Sequence, residues 1–148
     1  MRKVLWASLF MVMLLTALPI HAQSPNYDVG PVWRVTYYHL KPGMGDAFWK
    51  DFRENLKPLY EAYKKEGFIT DYKAYTNLTA EGPNDWDIAI AILYPNYAAF
   101  DQIDAKAMTI VIKHYGSRDA AYDSVRKRSD IREVVSSKVA REVTPKKW

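Results

Sequence analysis

Arg34, Thr36 and Tyr38 stand at alternate positions of a stretch that is otherwise β-branched or aromatic, Val-Trp-Arg-Val-Thr-Tyr-Tyr-His-Leu over residues 32–40. Side chains two apart on a strand share a face. A guanidinium and two hydroxyls would therefore project together from an apolar surface, and Tyr72, in the next extended stretch, is placed to join them. Such a group in an apolar cavity suits a small anionic or aromatic molecule. An arginine buried there without an acid would take the ligand's negative group as its counter-charge. The competing expectation is that these polar groups satisfy one another across a subunit interface. Arg34, Thr36, Tyr38 and Tyr72 are thus the ligand-binding candidates, and no catalytic residue is identified.

Other chemistry has less support. Past residue 22 the histidines are His39 and His114, far apart and without ligand-spaced acids, whereas structural zinc wants four ligands and catalytic zinc three. No metal site is expected. Glycine-rich phosphate loops, nucleophile elbows and paired-histidine helix motifs are absent from the sequence. His114 falls in the last turn of an expected helix, where the dipole favours a cation. Eleven tyrosines and five tryptophans are more hydroxyl and indole than a plain core needs, since each buried one requires a partner.

The elements that must position these residues follow from pattern. Residues 32–40 predict a strand, ended by Lys41-Pro42-Gly43. Met44, Phe48, Phe52, Leu56, Leu59 and Tyr63 then recur at helical spacing, with Gly67 as the stop and a kink expected at Pro58. Residues 68–76 predict a second strand and 77–85 a loop rich in turn formers. A third strand spans 86–94, and its centre, Ile88 to Leu93, is apolar on both faces. Asn96 is placed to cap a second helix that ends at Gly116, and Ser117 to cap a third through Arg128. Residues 133–144 alternate as a last strand closed by Pro145.

The N-terminus reads as an export signal over residues 1–22: Arg2 and Lys3, an apolar run over 4–18, Pro19, then Ala22 before the expected cleavage. The run is shorter than the roughly 20 residues of a membrane span, so no stable anchor is expected after cleavage, and the location is periplasmic or secreted. Residues 23–31 read as a leader loop, 32–144 as the domain and 145–148 as a tail. With no cysteine, disulfides are excluded and the core alone must hold the domain. The formal charge is +4, two units of which belong to Arg2 and Lys3, too little to suggest a nucleic-acid partner. Arg126-Lys127-Arg128 and Lys146-Lys147 read as a solvated helix end and tail.

The element order is that of an α+β, ferredoxin-like βαββαβ domain, a four-stranded antiparallel sheet with its helices on one face. Alternation is expected to turn Val35 and Tyr37 toward Phe48 and Phe52, and Arg34, Thr36 and Tyr38 to the uncovered face. That face would be a broad apolar patch, which a second copy of the chain is expected to cover.

His39-Leu40-Lys41-Pro42-Gly43, the aromatic helix behind it, and Trp86-Asp87-Ile88-Ala89-Ile90-Ala91 leading to Asn96-Tyr97-Ala98-Ala99-Phe100 resemble the dimeric α/β-barrel superfamily. Within it the chain is most similar to the NIPSNAP-like and stress-responsive barrel groups. The resemblance implies a homodimer with a pocket between sheet and helices or inside the barrel. It also implies two readings beside a small-molecule-binding or stress-related module: a cofactor-independent or haem-dependent monooxygenase or isomerase, and a structural dimerisation module. No cofactor is evident in the residues, while the resemblance leaves haem open. Arg34 stands where some members place a strand histidine, Thr36 where haem-degrading members place an asparagine, and Ala105 and Met108 near the late-helix histidines of cyclase-like members. Those chemistries are not carried over.

Overall fold

The computed structural model describes residues 26–79 and 81–147, apart from the side chains of 101–105. The expected signal segment, 1–22, and its cleavage point lie outside the described residues. The order is β1 (Tyr27–Leu40), α1 (Gly45–Asp51), a π-helical turn (Phe52–Leu56), α2 (Lys57–Lys65), β2 (Asp71–Thr76), β3 (Ile88–Tyr94), α3 (Ala99–Tyr115), α4 (Arg118–Arg128) and β4 (Arg132–Pro145). The strands lie β2-β3-β1-β4 and every pairing is antiparallel. This is the α+β, ferredoxin-like arrangement that the element order predicts.

Local chemistry explains the boundaries. Gly116 ends α3 at φ +87°, a left-handed conformation that glycine enters without steric cost. The Ser117 hydroxyl accepts from the Ala120 amide to start α4, and the Asn96 side chain accepts from Ala99 ahead of α3. At Pro58 the helix does not break. The Lys57 amide donates to Phe52, five residues back, so a π turn directly upstream absorbs the backbone donor that proline lacks.

β1 starts at Tyr27 rather than at residue 32, because residues 27–29 pair with the end of β4. Gly30 and Pro31 form a bulge there. A Cβ on Gly30 would stand 3.0 Å from the Glu142 Cβ, so only the smallest residue fits, and a bulge is one of the few places where a strand tolerates proline.

Register settles which face is which, and it reverses the expectation. Tyr38 pairs with Ile88, Thr36 with Ile90 and Arg34 with Ile92. Those isoleucines join Phe48, Phe52, Leu56, Ile69 and Tyr94 in the core, with Tyr38 and Leu40 packed against it. Arg34, Thr36 and Tyr38 therefore face the helices, while Val35 and Tyr37 face away from them. Both faces of β1 carry aromatic residues, so its alternation is ambiguous; β3 decides, because Ile88, Ile90, Ile92 and Tyr94 are even-numbered and the odd side carries only Ala89, Ala91 and Leu93.

The uncovered face is not the continuous apolar patch expected from the sequence. One row across the sheet reads Lys73, Ala91, Val35, Lys138. The Lys73 ammonium lies over the Trp33 ring and the Lys138 ammonium over Tyr37, at 5.6 and 5.7 Å from the ring centres. Trp33 donates its indole N–H to Glu142 at 2.6 Å. The lysine stems cover apolar surface while their heads reach water, leaving an apolar centre between charged rims.

Candidate functional site

A second bulge builds the site. Ser136 pairs with Tyr37 but Val134 with Tyr38, so Val135 is an extra residue in β4. Beyond it the alternation inverts. Ser137 and Val139 stand on the helix face with even-numbered positions on the other, whereas Val134 and Arg132 now take the helix face. Arg132 is carried over the Tyr38 ring at 4.1 Å and within 5.1 Å of Phe48. Its Nη1 is buried and has no hydrogen-bond partner, and among the described residues no carboxylate lies within ion-pair distance of it. Burial lowers its pKa; the Tyr38 hydroxyl works in the opposite direction, and Arg128 adds to the lowering.

Arg132 and Tyr38 line a groove of about 680 Å³ between β1, β4 and α4. Lys41 and Arg128 add cations, Val125 and Val134 apolar wall, and Ser129, Asp130 and Glu133 the remainder. Tyr60 of α2 is not part of that lining; its ring packs against Phe52 and Tyr72, at 6.4 and 5.1 Å between ring centres. Burial, helped by the neighbouring Tyr38, pushes its phenol well above the ordinary range, against the pull of Arg132, Arg34 and Arg128.

The four residues singled out from the sequence share a face but not a contact. The Arg34 guanidinium turns toward Tyr94 and Phe100, 5.4 and 5.9 Å from their ring centres. Thr36 shares a hydrogen bond of 3.2 Å with Ser137. Tyr38 meets Arg132. Tyr72 lies two strands away from Arg34, where its hydroxyl donates to Glu61 at 2.6 Å and its ring meets Tyr60 at 5.1 Å. Burial and that bond push the Tyr72 phenol up to about 12.

One participant was missed. Arg132 falls outside the strand predicted from residue 133, and no local pattern marks it.

The histidines are engaged elsewhere. His39 Nδ1 lies 2.9 Å from Asp87 and 3.0 Å from the Asp85 carbonyl, at the end of β1 and on its other face. His114 Nε2 lies 3.2 Å from Asn55 Oδ1, so it meets a side-chain amide as well as the helix end. With neither histidine in the groove, the residues there do not fit an iron held by an axial histidine. Among the described residues no three His, Asp or Glu side chains gather at metal-ligand spacing.

Neither the comparison with protein-family models nor that with curated proteins gives a match. Among solved structures, HapK from Hahella chejuensis is similar with a TM-score of 0.47 at 16% identity, covering 75% of this chain and 91% of that one. An ethyl tert-butyl ether D (EthD) family protein from Bacillus halodurans is similar with a TM-score of 0.51 at 13% identity, covering 76% of this chain and 98% of that one. The likeness to the EthD family protein concerns the fold alone, and the fold of this chain is ferredoxin-like.

Proposed function

We propose that the chain is an exported, homodimeric, small-molecule-binding module of the NIPSNAP-like or stress-responsive barrel kind, with its ligand site on the helix face of β1 and β4. The observation that carries the binding reading is the Arg132 guanidinium, buried over Tyr38 with one nitrogen that has no partner among the described residues. An unsatisfied buried donor costs about 1–3 kcal/mol, a cost that an anionic ligand would remove. Export rests on the basic and apolar order of residues 1–22.

The dimer rests on the apolar centre of the uncovered face, where Val35 and Leu93 are half-buried and Ala89 and Ala91 are already buried in the single chain, set between lysine rims. A second copy laid over it would hide that centre. The enzyme reading has less support, since the best-oriented acid–base pair among the described residues, His39 with Asp87, lies across the sheet from the groove.

Native mass spectrometry and an absorption spectrum of the protein recovered from the periplasm or medium test the binding reading. A retained small molecule, or binding of a carboxylate probe, supports it; a clean protein that binds no probe favours structural dimerisation. Light scattering tests assembly. Ala89→Asp should dissociate the dimer, because the new carboxylate sits among Tyr37, Tyr75 and apolar neighbours, whereas Ala91→Asp lies in a row with Lys73 and Lys138 and should do less. A wild-type monomer would end the dimer reading.

A further inference from the structure

We infer that the groove takes its ligand as an oxyanion borne on a planar ring, with the oxyanion seated at Arg132 rather than at Arg34. The inference rests on the binding reading above and adds the chemical class and the residue that selects it.

Three observations carry it. First, Arg132 and Tyr38 stand together in the lining of the groove and are both donors. Arg132 brings a guanidinium that among the described residues has no carboxylate beside it and one nitrogen without a partner, and Tyr38 brings a phenol. A neutral carbonyl uses such donors weakly, while an oxyanion accepts charge-assisted bonds of about twice the strength. Second, the Arg132 guanidinium lies over Tyr38 at 4.1 Å. With Phe48 5.1 Å away as well, it is held as a flat fork of fixed orientation, which matches a coplanar carboxylate. Third, the groove continues outward between Val125 and Val134, both more than half exposed, and these give an aromatic ring two apolar walls.

The remaining charges set the direction of approach. Arg128 is engaged by Asp51 at 2.8 Å, so it leaves Arg132 as the inner cation. Lys41 adds a further cation to the lining, and Asp130 and Glu133 add two carboxylates, so an anion gains only where it sits against Arg132 and away from them. Arg34 is turned toward Tyr94 and Phe100, which is why it is not the seat.

The test uses the exported protein with benzoate, its neutral isostere benzamide, and 4-nitrophenol, whose colour reports ionisation. Benzoate should bind at least about tenfold tighter than benzamide, the factor expected of a hydrogen bond to a charged group. Bound 4-nitrophenol should ionise at lower pH than the free phenol. Arg132→Met should bring benzoate down to the level of benzamide with the circular dichroism spectrum unchanged, Arg132→Lys should restore part of the preference, and Arg34→Met should leave it intact. Equal binding of benzoate and benzamide, or bound 4-nitrophenol that stays neutral, overturns the inference while leaving a small-molecule site in place. Loss of the preference in Arg34→Met alone overturns the assignment to Arg132. Binding of none of the three probes removes the inference and the binding reading together.

Discussion

Arg128 and Arg132 lie one helical end and one strand start apart, and both are drawn out of water, yet their surroundings differ. Arg128 closes the junction of α1, α3 and α4. Its Nε donates to Asp51 at 2.8 Å and its Nη2 to the Tyr115 hydroxyl at 2.6 Å, with side-chain exposures of 12% for Arg128 and 14% for Asp51. Burial would lower its pKa, but the bonds and charges of Asp51 and Tyr115 outweigh that and raise it. Arg132 is also largely buried, lacks a fixed acid, and ends lower than the ordinary arginine value. The difference separates two uses of one residue type. A buried cation with a fixed counter-charge holds elements together, and one without it is poised for a counter-charge from outside.

The largest effect should come from breaking the satisfied pair. Asp51→Ala strands the Arg128 charge in the junction and should cost about 3–5 kcal/mol, read as a lower urea midpoint at unchanged slope. A loss below about 1 kcal/mol would mean that the junction is wet and the contrast with Arg132 false.

Arg132→Met is the opposite experiment. It removes an unpaired charge and leaves similar volume over Tyr38 and Phe48, so stability should stay within about 1 kcal/mol of wild type or rise. A loss as large as that of Asp51→Ala would make Arg132 structural.

Giving Arg132 an acid should convert one kind of site into the other. Val134→Glu places a carboxylate two residues along the same strand, on the same face and largely exposed. It should add no more than about 1 kcal/mol while abolishing benzoate binding. Retained binding would show that the introduced carboxylate does not reach Arg132.

The smallest effect concerns a carboxylate with fixed donors. The backbone amides of Glu81 and Trp86, in that order, hold the Asp85 pKa below its ordinary value, with the Asn77 side chain adding to the effect. A folded pKa below the unfolded one gives stability that is present above the ordinary carboxylate range and lost as pH falls through the depressed value. Protection factors of the amides in the 77–87 loop, corrected for the slower intrinsic exchange in acid, should therefore fall on acidification before those of the sheet, and Asp85→Ala should remove that step. Simultaneous opening of loop and sheet would show that Asp85 does not act alone.

The sequence by itself determined the element types and most of their ends, because those rest on near-neighbour chemistry. Ile88 to Leu93 has nowhere to go but a buried strand, Gly116 must stop a helix, and Ser117 is spaced to start the next. It also singled out Tyr38, which the structure places beneath Arg132. What it could not determine was facing. A strand with aromatic residues on both sides, such as 32–40, chooses its core side only when paired, and the isoleucines of β3 made that choice against the expectation. Nor could alternation along 133–144 reveal that Val135 is extra, because a bulge shows only against the strand beside it. That one residue turns Arg132 from the open face to the groove. Asp51 and Arg128 meet across 77 residues of sequence, so the fact that one arginine has an acid and the other has none was decided by the tertiary structure, where distance in the chain no longer sets distance in space.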